Sequence, residues 1–295
     1  MTLAVATSPT LRDVLALATA RLAAAGVPDP RADAEVLLAH VLSVDRSALV
    51  VWARDGLAPE AEARFAALLD RRVTREPVAY ILGEREFWSL PLRVDRRVLI
   101  PRPETELVVA TALRVAPGAR RVLDVGTGSG AIAVALAREL PAAAVVASDR
   151  LASALAVAAV NRADLAPRVR LVQADVVGGF RAQAFDLVVA NPPYCGQGTV
   201  VQAEVRDWEP EAALYAGPDG LDVIERLVAD VPRVLVPHGW LVLEMGAGQV
   251  EAVVATVRAT ARYDRVDVVP DLSGIERVLA ARVGDGGVPG CRLDG

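Results

Sequence analysis

The sequence predicts an α/β protein, in which a mostly parallel sheet covered by helices on both faces follows a small helical bundle and a β-hairpin. Three observations support this fold class. Apolar residues at helical spacing run through residues 1–83, aromatic residues and prolines mark an alternating segment at 84–103, and strand-like and helix-like segments alternate over 104–283. We expect the glycine-rich tail at 284–295 to be disordered.

The N-terminal region carries start and stop signals for three helices. Thr10 can cap the first helix, which Gly26 is placed to end. Asp29 is expected to cap the second helix, and Pro30 stands at its first position, where proline is favoured. Pro59 opens the third helix, which closes before Pro77. No polar cluster here has a catalytic pattern, so we interpret this region as a domain that recognises a substrate.

The segment 84–103 differs from its neighbours. Alternation and aromatic residues at Glu84–Val94 indicate a β-hairpin, and a turn follows. Pro101 and Pro103 make this segment a stiff connector rather than a loose linker. We therefore expect a β-hairpin linker between the helical region and the α/β region.

The α/β region contains alternating buried strands and amphipathic helices, as expected for a parallel sheet. The predicted strands are 121–125, 144–148, 169–172, 185–190, 240–244, 265–269 and 277–282, and the predicted helices are 131–140, 151–161, 221–235 and 249–261.

The composition excludes several classes of protein. Hydrophobic residues make up 53% of the 295 residues and charged residues 23%, which favours a packed core over intrinsic disorder. No apolar run reaches about 18 residues and no signal peptide is evident, so we expect a cytoplasmic protein with no membrane partner. Two cysteines and two histidines are too few for a disulfide framework or a zinc cluster. The net charge of −5 argues against a nucleic-acid partner.

A glycine-rich turn, Asp124–Gly130, follows the first strand of the α/β region and precedes a helix whose N–H groups can bind an anion. Asp149 ends the next strand, where its carboxylate can accept hydrogen bonds from two ribose hydroxyls. The first two glycines and Ala131 fit the dinucleotide-binding pattern. Asp124 in the first strand and Gly130 in the compact turn are both typical of an S-adenosylmethionine site, so this segment favours S-adenosylmethionine while a dinucleotide stays open.

The segment Asn191-Pro-Pro-Tyr194 lies at the carboxyl end of the fourth predicted strand, the edge at which open α/β sheets bind ligands. Its two prolines stiffen the loop and remove backbone donors. The Asn191 side chain and the Pro192 carbonyl remain as acceptors for a substrate NH₂ group, and Tyr194 offers a flat face to a planar group. This loop resembles that of amino-methyltransferases, which act on amides or nucleobase amines.

Over residues 11–283 the chain resembles the release-factor glutamine methyltransferases, the PrmC/HemK family. The most discriminating segment is Leu99-Ile-Pro-Arg-Pro-Glu-Thr-Glu106, because generic adenine methyltransferases share only the glycine turn and Asn-Pro-Pro-Tyr. The other matching segments are Tyr80–Gly83, Glu86-Phe87, Leu123–Gly130, Asn191–Tyr194, Trp208–Pro210, Gly217–Leu221, Ser273-Gly274 and Glu276-Arg277.

The resemblance implies a Rossmann-like class I methyltransferase domain with a seven-stranded sheet. It implies methyl transfer from S-adenosylmethionine, leaving S-adenosylhomocysteine, to the Gln side-chain amide in the Gly-Gly-Gln motif of peptide-chain release factors. We expect a monomer that uses no metal. By position, the residues implied to bind the donor are Asp124, Gly126, Thr127, Gly128, Ser129, Gly130, Asp149, Asp175, Val176 and Asn191. Those implied to bind the substrate are Asn191, Pro192, Pro193 and Tyr194, with Asn191, Pro192 and Tyr194 catalytic.

Two positions depart from the family pattern. Family members often carry a bulkier or aromatic residue near Val176, beside the expected adenine, and an aliphatic residue at Cys195. We interpret Cys195 as a small apolar replacement rather than a nucleophile. His40 and His238 are expected to be packing or surface residues, and the sequence suggests no general base.

Three other functions are weighed against this one. An amino-methyltransferase acting on adenine in DNA or on a base in rRNA would share Asn-Pro-Pro-Tyr, but the acidic balance counts against it. A nicotinamide-dependent oxidoreductase accounts for the glycine turn and leaves that loop unexplained. A non-enzymatic scaffold would have no need of the site residues.

Overall fold

The structure is a computed structural model that describes residues 9–285, so the last ten residues of the predicted tail, 286–295, lie outside the described part of the chain. The described residues form two compact units. The first comprises residues 9–83 together with 202–208, and the second comprises 84–201 together with residues from 209 onward.

The helices of residues 9–285 follow in chain order. They are α1 (Leu11–Ala24), α2 (Pro30–Leu42), α3 (Arg46–Val51), α4 (Pro59–Val73), α5 (Val78–Leu82), α6 (Glu106–Val115), α7 (Ala131–Glu139), α8 (Ala152–Leu165), α9 (Ala203–Trp208), α10 (Asp222–Val234) and α11 (Val250–Ala259). Single turns of 3₁₀ helix lie at Pro103–Thr105 and Glu211–Ala213.

The strands of the same residues form two sheets. They are β1 (Glu84–Phe87), β2 (Leu90–Arg93), β3 (Arg121–Val125), β4 (Ala144–Asp149), β5 (Arg170–Gln173), β6 (Phe185–Ala190), β7 (Leu235–Glu244), β8 (Tyr263–Pro270) and β9 (Glu276–Val283).

The first unit is helical, and its three longest helices begin where the sequence predicts. The Thr10 hydroxyl caps α1 by accepting a hydrogen bond from the Asp13 N–H at 3.3 Å. Asp29 precedes α2 without a side-chain cap, so Pro30 at the first helical position sets the start of that helix. The short helices α3, α5 and α9 were not predicted, because five or six residues carry too little periodicity to detect.

Helix α9 joins the first unit through buried ion pairs. Its Glu204 accepts from the Arg72 guanidinium at 2.9 Å and from that of Arg75 at 2.6 Å, and Arg72 also pairs with Asp33 at 2.8 Å. Burial opposes ionisation of Glu204, but the hydrogen bonds from Arg75 and Arg72 overcome that effect and lower its pKa to about 2. The Arg72 side chain is only 5% exposed, so its charge depends on these carboxylates.

The second unit confirms the predicted mostly parallel, seven-stranded sheet. Its strand order is β5-β4-β3-β6-β7-β9-β8. The strands from β5 to β7 are parallel, whereas β9 runs antiparallel to both β7 and β8. This arrangement brings the carboxyl ends of β3, β4, β6 and β7 to one edge of the sheet.

Both faces of the sheet are buried, as the continuous apolar strands require. Along β6, Leu187 and Val189 pack in one core with α6 and α7, while Val188 and Ala190 pack in the other with α10 and α11. The predicted β-hairpin forms as β1 and β2. Its Phe87 and the β2 leucines join the first of these cores, so the hairpin is packed onto the second unit.

No helix within residues 9–285 is long and apolar enough to cross a bilayer.

Candidate active site

A cavity of about 470 Å³ lies at the carboxyl ends of the parallel strands in the second unit. Its volume is that of a small-molecule site. The predicted site residues that line it are Gly126, Thr127, Gly128, Ser129, Asp149, Asp175, Val176, Asn191, Pro192 and Pro193. Three other predicted residues, Asp124, Gly130 and Tyr194, are not among the described residues that line it.

The glycine turn forms one wall of the cavity. Gly126 and Gly128 adopt positive φ angles of 71° and 55°, and a Cβ on either would meet no atom within 4 Å. Glycine is therefore required there by the left-handed backbone rather than by crowding. Gly130 has a φ of 87°, and a Cβ there would lie in ordinary contact with the Ala158 Cβ at 3.4 Å, so this glycine too is required by its backbone conformation.

Asn161 of α8 holds this turn from behind and is fully buried. Its carboxamide exchanges two hydrogen bonds with the backbone of Arg93, accepting from the N–H at 2.7 Å and donating to the carbonyl at 2.9 Å. It also donates to the Ser129 carbonyl at 2.8 Å. One side chain thus ties the β-hairpin to the glycine turn. The sequence carries no local signal for it, because its partners lie 32 and 68 positions away.

Asp124 lies beneath the turn and is fully buried. Its Oδ2 accepts from the Thr127 hydroxyl at 2.6 Å and from the Ala133 N–H at 3.2 Å, whereas Oδ1 has no partner among the described residues. Burial raises the pKa of Asp124 to about 7, aided by the charge of Asp149 and opposed by the two hydrogen bonds. In this structure Asp124 supports the turn from below.

Asp149 ends β4 and faces the cavity. Its Oδ2 accepts from the Gly128 N–H at 3.0 Å, and its Oδ1 accepts from the Leu151 N–H at 2.9 Å. Two backbone donors therefore fix the orientation of the carboxylate, and each oxygen keeps a further lone pair for a ligand hydroxyl.

The next wall is built from Asp175 and Val176. Asp175 pairs with Arg226 at 2.6 Å, and both side chains are about half exposed. Val176 is buried and has a φ of 51°. The left-handed region is costly for a β-branched residue, so the core that packs Val176 must hold it there. This strain lies where the sequence departs from the family pattern.

The Asn191 loop is held by a residue that sequence reasoning did not assign to the site. The Asn191 Nδ2 donates to the buried Thr105 hydroxyl at 3.0 Å. Because the NH₂ end of the carboxamide is engaged there, its Oδ1 is left as the acceptor at the cavity. Thr105 belongs to the discriminating segment 99–106, but nothing in that segment indicates which atom it contacts.

Tyr194 points away from the cavity lining. Its hydroxyl donates to the Glu244 Oε1 at 3.1 Å, and its ring packs against the core shared with α10 and α11. Its carbonyl accepts from the Gln249 Nε2 at 3.0 Å, and a Cβ on Gly220 would come within 2.1 Å of the same oxygen. The end of the loop is therefore closely fitted, and the stacking role of Tyr194 stays a prediction.

Cys195 continues the loop in extended backbone, donating to the Leu214 carbonyl at 2.8 Å and accepting from the Ala216 N–H at 3.0 Å. Burial raises the pKa of its thiol, which favours the unreactive protonated form.

Glu209 connects two segments of the chain that both contribute residues to the cavity wall. It accepts from the Ile100 N–H at 3.0 Å and pairs with Arg102 at 2.5 Å. The segments 99–106 and 208–210 were noted separately in the sequence, and the structure joins them through this buried carboxylate.

Within residues 9–285 there is no group of three or more His, Cys, Asp or Glu side chains placed to bind a metal ion.

The parallel sheet, its glycine-turn cavity and the match to a methyltransferase family model together define a Rossmann-like methyltransferase. Residues 104–208 match the model of the methyltransferase small domain, and residues 13–83 match that of the PrmC N-terminal domain. The chain belongs to the release factor glutamine methyltransferase family. It is 45% identical over 275 residues to the release factor glutamine methyltransferase of Cereibacter sphaeroides, covering 92% of this chain and 98% of that protein.

A second relative shows the same extent of similarity. The release factor glutamine methyltransferase of Geobacter sulfurreducens is 43% identical over 277 residues, covering 93% of this chain and 97% of that protein. Among solved structures, a methyltransferase from Pyrococcus furiosus aligns with a TM-score of 0.52 and 19% identity, covering 66% of this chain and 89% of that one. That likeness shows a shared fold.

Proposed function

We propose that the protein transfers a methyl group from S-adenosylmethionine to the side-chain amide nitrogen of the Gln in the Gly-Gly-Gln motif of peptide-chain release factors. One observation carries this proposal: Thr105 engages the NH₂ end of Asn191 and leaves its carbonyl oxygen free at the cavity. Such an acceptor suits an NH₂ group on a planar system. The substrate named for relatives that span nearly the whole chain supports a glutamine amide.

The cavity residues fit S-adenosylmethionine. Asp149 is oriented by two backbone N–H groups, which suits a carboxylate that accepts from vicinal ribose hydroxyls. We propose that the turn Gly126–Gly130 lies along the donor, that Asp124 supports it from below, and that Asp175 and Val176 lie beside the adenine. When bound, the donor supplies an electrophilic methyl group on a sulfonium sulfur.

The protein's own residues would orient the substrate glutamine amide for methyl transfer. An amide nitrogen is a poor nucleophile because its lone pair is delocalised into the carbonyl. Asn191 Oδ1 and the Pro192 carbonyl would accept hydrogen bonds from its two N–H groups and orient the nitrogen, with Pro193 and Tyr194 completing the loop. One of the two amide protons would pass to water after transfer. Positioning of this kind supplies about 7 kcal/mol of a barrier. Dipoles aimed at the developing positive charge lower it further.

We propose that residues 9–83 recognise the release factor. The described cavity residues all come from the second unit, so this region has no direct part in the chemistry. It also exposes consecutive valines, Val50 at 78% and Val51 at 79%. Val50→Asp should raise the KM for release factor without changing donor affinity, and an unchanged KM for Val50→Asp and Val51→Asp alike would contradict a role for this surface.

The test of function uses radiolabelled S-adenosylmethionine with three acceptors: a release factor, the same factor with its motif Gln replaced, and DNA. We expect label on the intact factor only, and label on the DNA or on the Gln-replaced factor would refute the proposal. Asn191→Ala should abolish transfer while calorimetry still detects donor binding. Thr256→Ala, which removes an exposed hydroxyl on α11, is the control and should retain wild-type turnover.

A further inference from the structure

A buried carboxyl lies behind the Asn191 loop, outside the cavity lining. Glu244 ends β7 and is 1% exposed. Its Oε1 accepts from the Tyr194 hydroxyl at 3.1 Å, and its Oε2 has no hydrogen-bond partner among the described residues. Burying a carboxyl with so few partners is costly, because the charged form loses its hydration. A glutamine or a hydrophobic residue would cost less at this position.

The same carboxyl faces Thr105, whose hydroxyl helps to stabilise its charged form. The Thr105 hydroxyl already accepts from Asn191 Nδ2, so its own proton is available to the carboxyl. The hydrogen bonds therefore all point in one direction. The Asn191 amide donates to the Thr105 hydroxyl, and the Thr105 hydroxyl points its proton towards Glu244. Tyr194 donates to Glu244 from the other end of the loop.

Direction matters because a carboxamide can be turned over with almost no change of shape, exchanging its oxygen for its NH₂ group. An acceptor at the end of the chain of donors selects one of the two orientations. A donor in the place of Glu244 would favour the opposite orientation of the Asn191 carboxamide. That orientation presents the NH₂ group of Asn191 to the substrate amide and repels the N–H groups of the substrate.

We propose that Glu244 is a positioning residue for methyl transfer: as a buried acceptor it fixes the Thr105 hydroxyl, and through it turns the Asn191 carbonyl oxygen towards the substrate amide. This inference rests on the proposed function, since it assigns a role within that reaction.

The surroundings of Glu244 give the proposal a pH signature. Burial raises the pKa of Glu244, opposed by Thr105, Tyr194 and the charge of Arg277, and reinforced by the charge of Glu104. Once protonated, Glu244 would become a donor towards Thr105 and lose its orienting role. Turnover should therefore fall on the acid side as this carboxyl takes up a proton.

The test compares Glu244→Gln, Thr105→Val and the double variant with wild type, using release factor methylation and calorimetric binding of S-adenosylmethionine. Glu244→Gln should lower kcat by about a hundredfold, the loss typical of a misplaced reacting group, with donor affinity within about twofold. The double variant should be no slower than Thr105→Val, because both changes break one path. Tyr263→Phe is the matched control, because it removes another partly buried tyrosine hydroxyl bond, to the Val228 carbonyl at 2.9 Å. Its effect on kcat should be less than about twofold.

Two readouts separate positioning from mere stability. The acid limb of the kcat profile should disappear in Glu244→Gln, and the side-chain NH₂ signal of Asn191, identified by its absence in the Asn191→Ala spectrum, should shift. Unchanged kcat in Glu244→Gln, or losses that multiply in the double variant, would overturn the inference. If wild type itself transfers no methyl group to the release factor, the proposed function fails instead, and the NMR shift still tests the orienting contact.

Discussion

Replacing Asp124 by Asn tests whether the carboxyl beneath the glycine turn is held largely in its neutral form. The substitution keeps the shape and leaves an oxygen to accept from Thr127 and Ala133, but it removes the ability to ionise. In the wild type, burial raises the pKa of Asp124 from an ordinary 3.8 to about 7. The folded protein therefore binds a proton that the unfolded chain has released over most of this range.

The higher pKa of Asp124 in the folded state determines how its contribution to stability changes with pH. Because the folded pKa is the higher one, the contribution of Asp124 to stability is fully present below pH 3.8 and is lost as the pH rises through about 7. A difference of about 3 in pKa corresponds to roughly 4 kcal/mol at about 1.4 kcal/mol for each unit of pH. The free energy of unfolding of wild type, relative to Asp124→Asn, should fall by up to that amount between pH 4 and 8.

Urea denaturation of both proteins at several pH values measures this difference, and a carboxyl ¹³C NMR titration observes the proton directly. Asp230→Asn, on the exposed face of α10, is the matched control for replacing an aspartate on the surface of the second unit. A wild-type-minus-variant difference that stays constant within about 0.5 kcal/mol, or an Asp124 carbon signal with a midpoint near 4, would refute the reasoning.

Three further predictions concern side chains that hold the site or the first unit. Asn161→Ala should lower the free energy of unfolding by roughly 3 kcal/mol in urea denaturation, because it leaves buried backbone groups without partners; a loss below about 1 kcal/mol would contradict this. Glu204→Gln should cost about 3 kcal/mol in the same assay at pH 7, since the Arg72 charge stays buried, and the loss should shrink as the pH falls from 4.5 towards 2, where the wild-type carboxylate is protonated. Gly220→Ala should lower kcat by about a hundredfold by displacing the loop, whereas Gly179→Ala, with a similar φ and open space, should leave kcat unchanged.

Much of the fold follows from local patterns. The strand at 185–190 appears with the predicted bounds, because continuous β-branched and apolar residues mark a strand buried on both faces. Helix α6 was not predicted, although Val108, Val109 and Ala112 show helical spacing, because the prolines before it indicated a turn. The sequence places the start of the next strand at Trp240, because the preceding residues Val236–Gly239 have the composition of a turn. In the structure β7 already begins at Leu235. Strand order and the antiparallel β9 depend on contacts distant in sequence, which periodicity does not encode.

The residues of the candidate site likewise fall into those that local sequence patterns predict and those that depend on contacts distant in sequence. Residues at the carboxyl ends of strands and in the glycine turn could be placed at one sheet edge from the sequence, and ten of them line the cavity. Thr105, Asn161 and Glu244 could not, because each acts through a partner at least 30 positions away. An acidic residue at the end of a strand is ordinarily exposed, so the sequence offers no reason to bury Glu244.

The assignment of α9 to the first unit has a consequence for synthesis on the ribosome. The chain emerges from its N-terminus, and domains usually fold as they appear. Here the segment that supplies Glu204 is made after the sheet strands β3 to β6. Until it arrives, Arg72 can pair with Asp33 but not with Glu204, and Arg75 likewise lacks Glu204. The first unit therefore completes its ion pairs only after more than 200 residues have been translated, by which time the strands that build the cavity already exist.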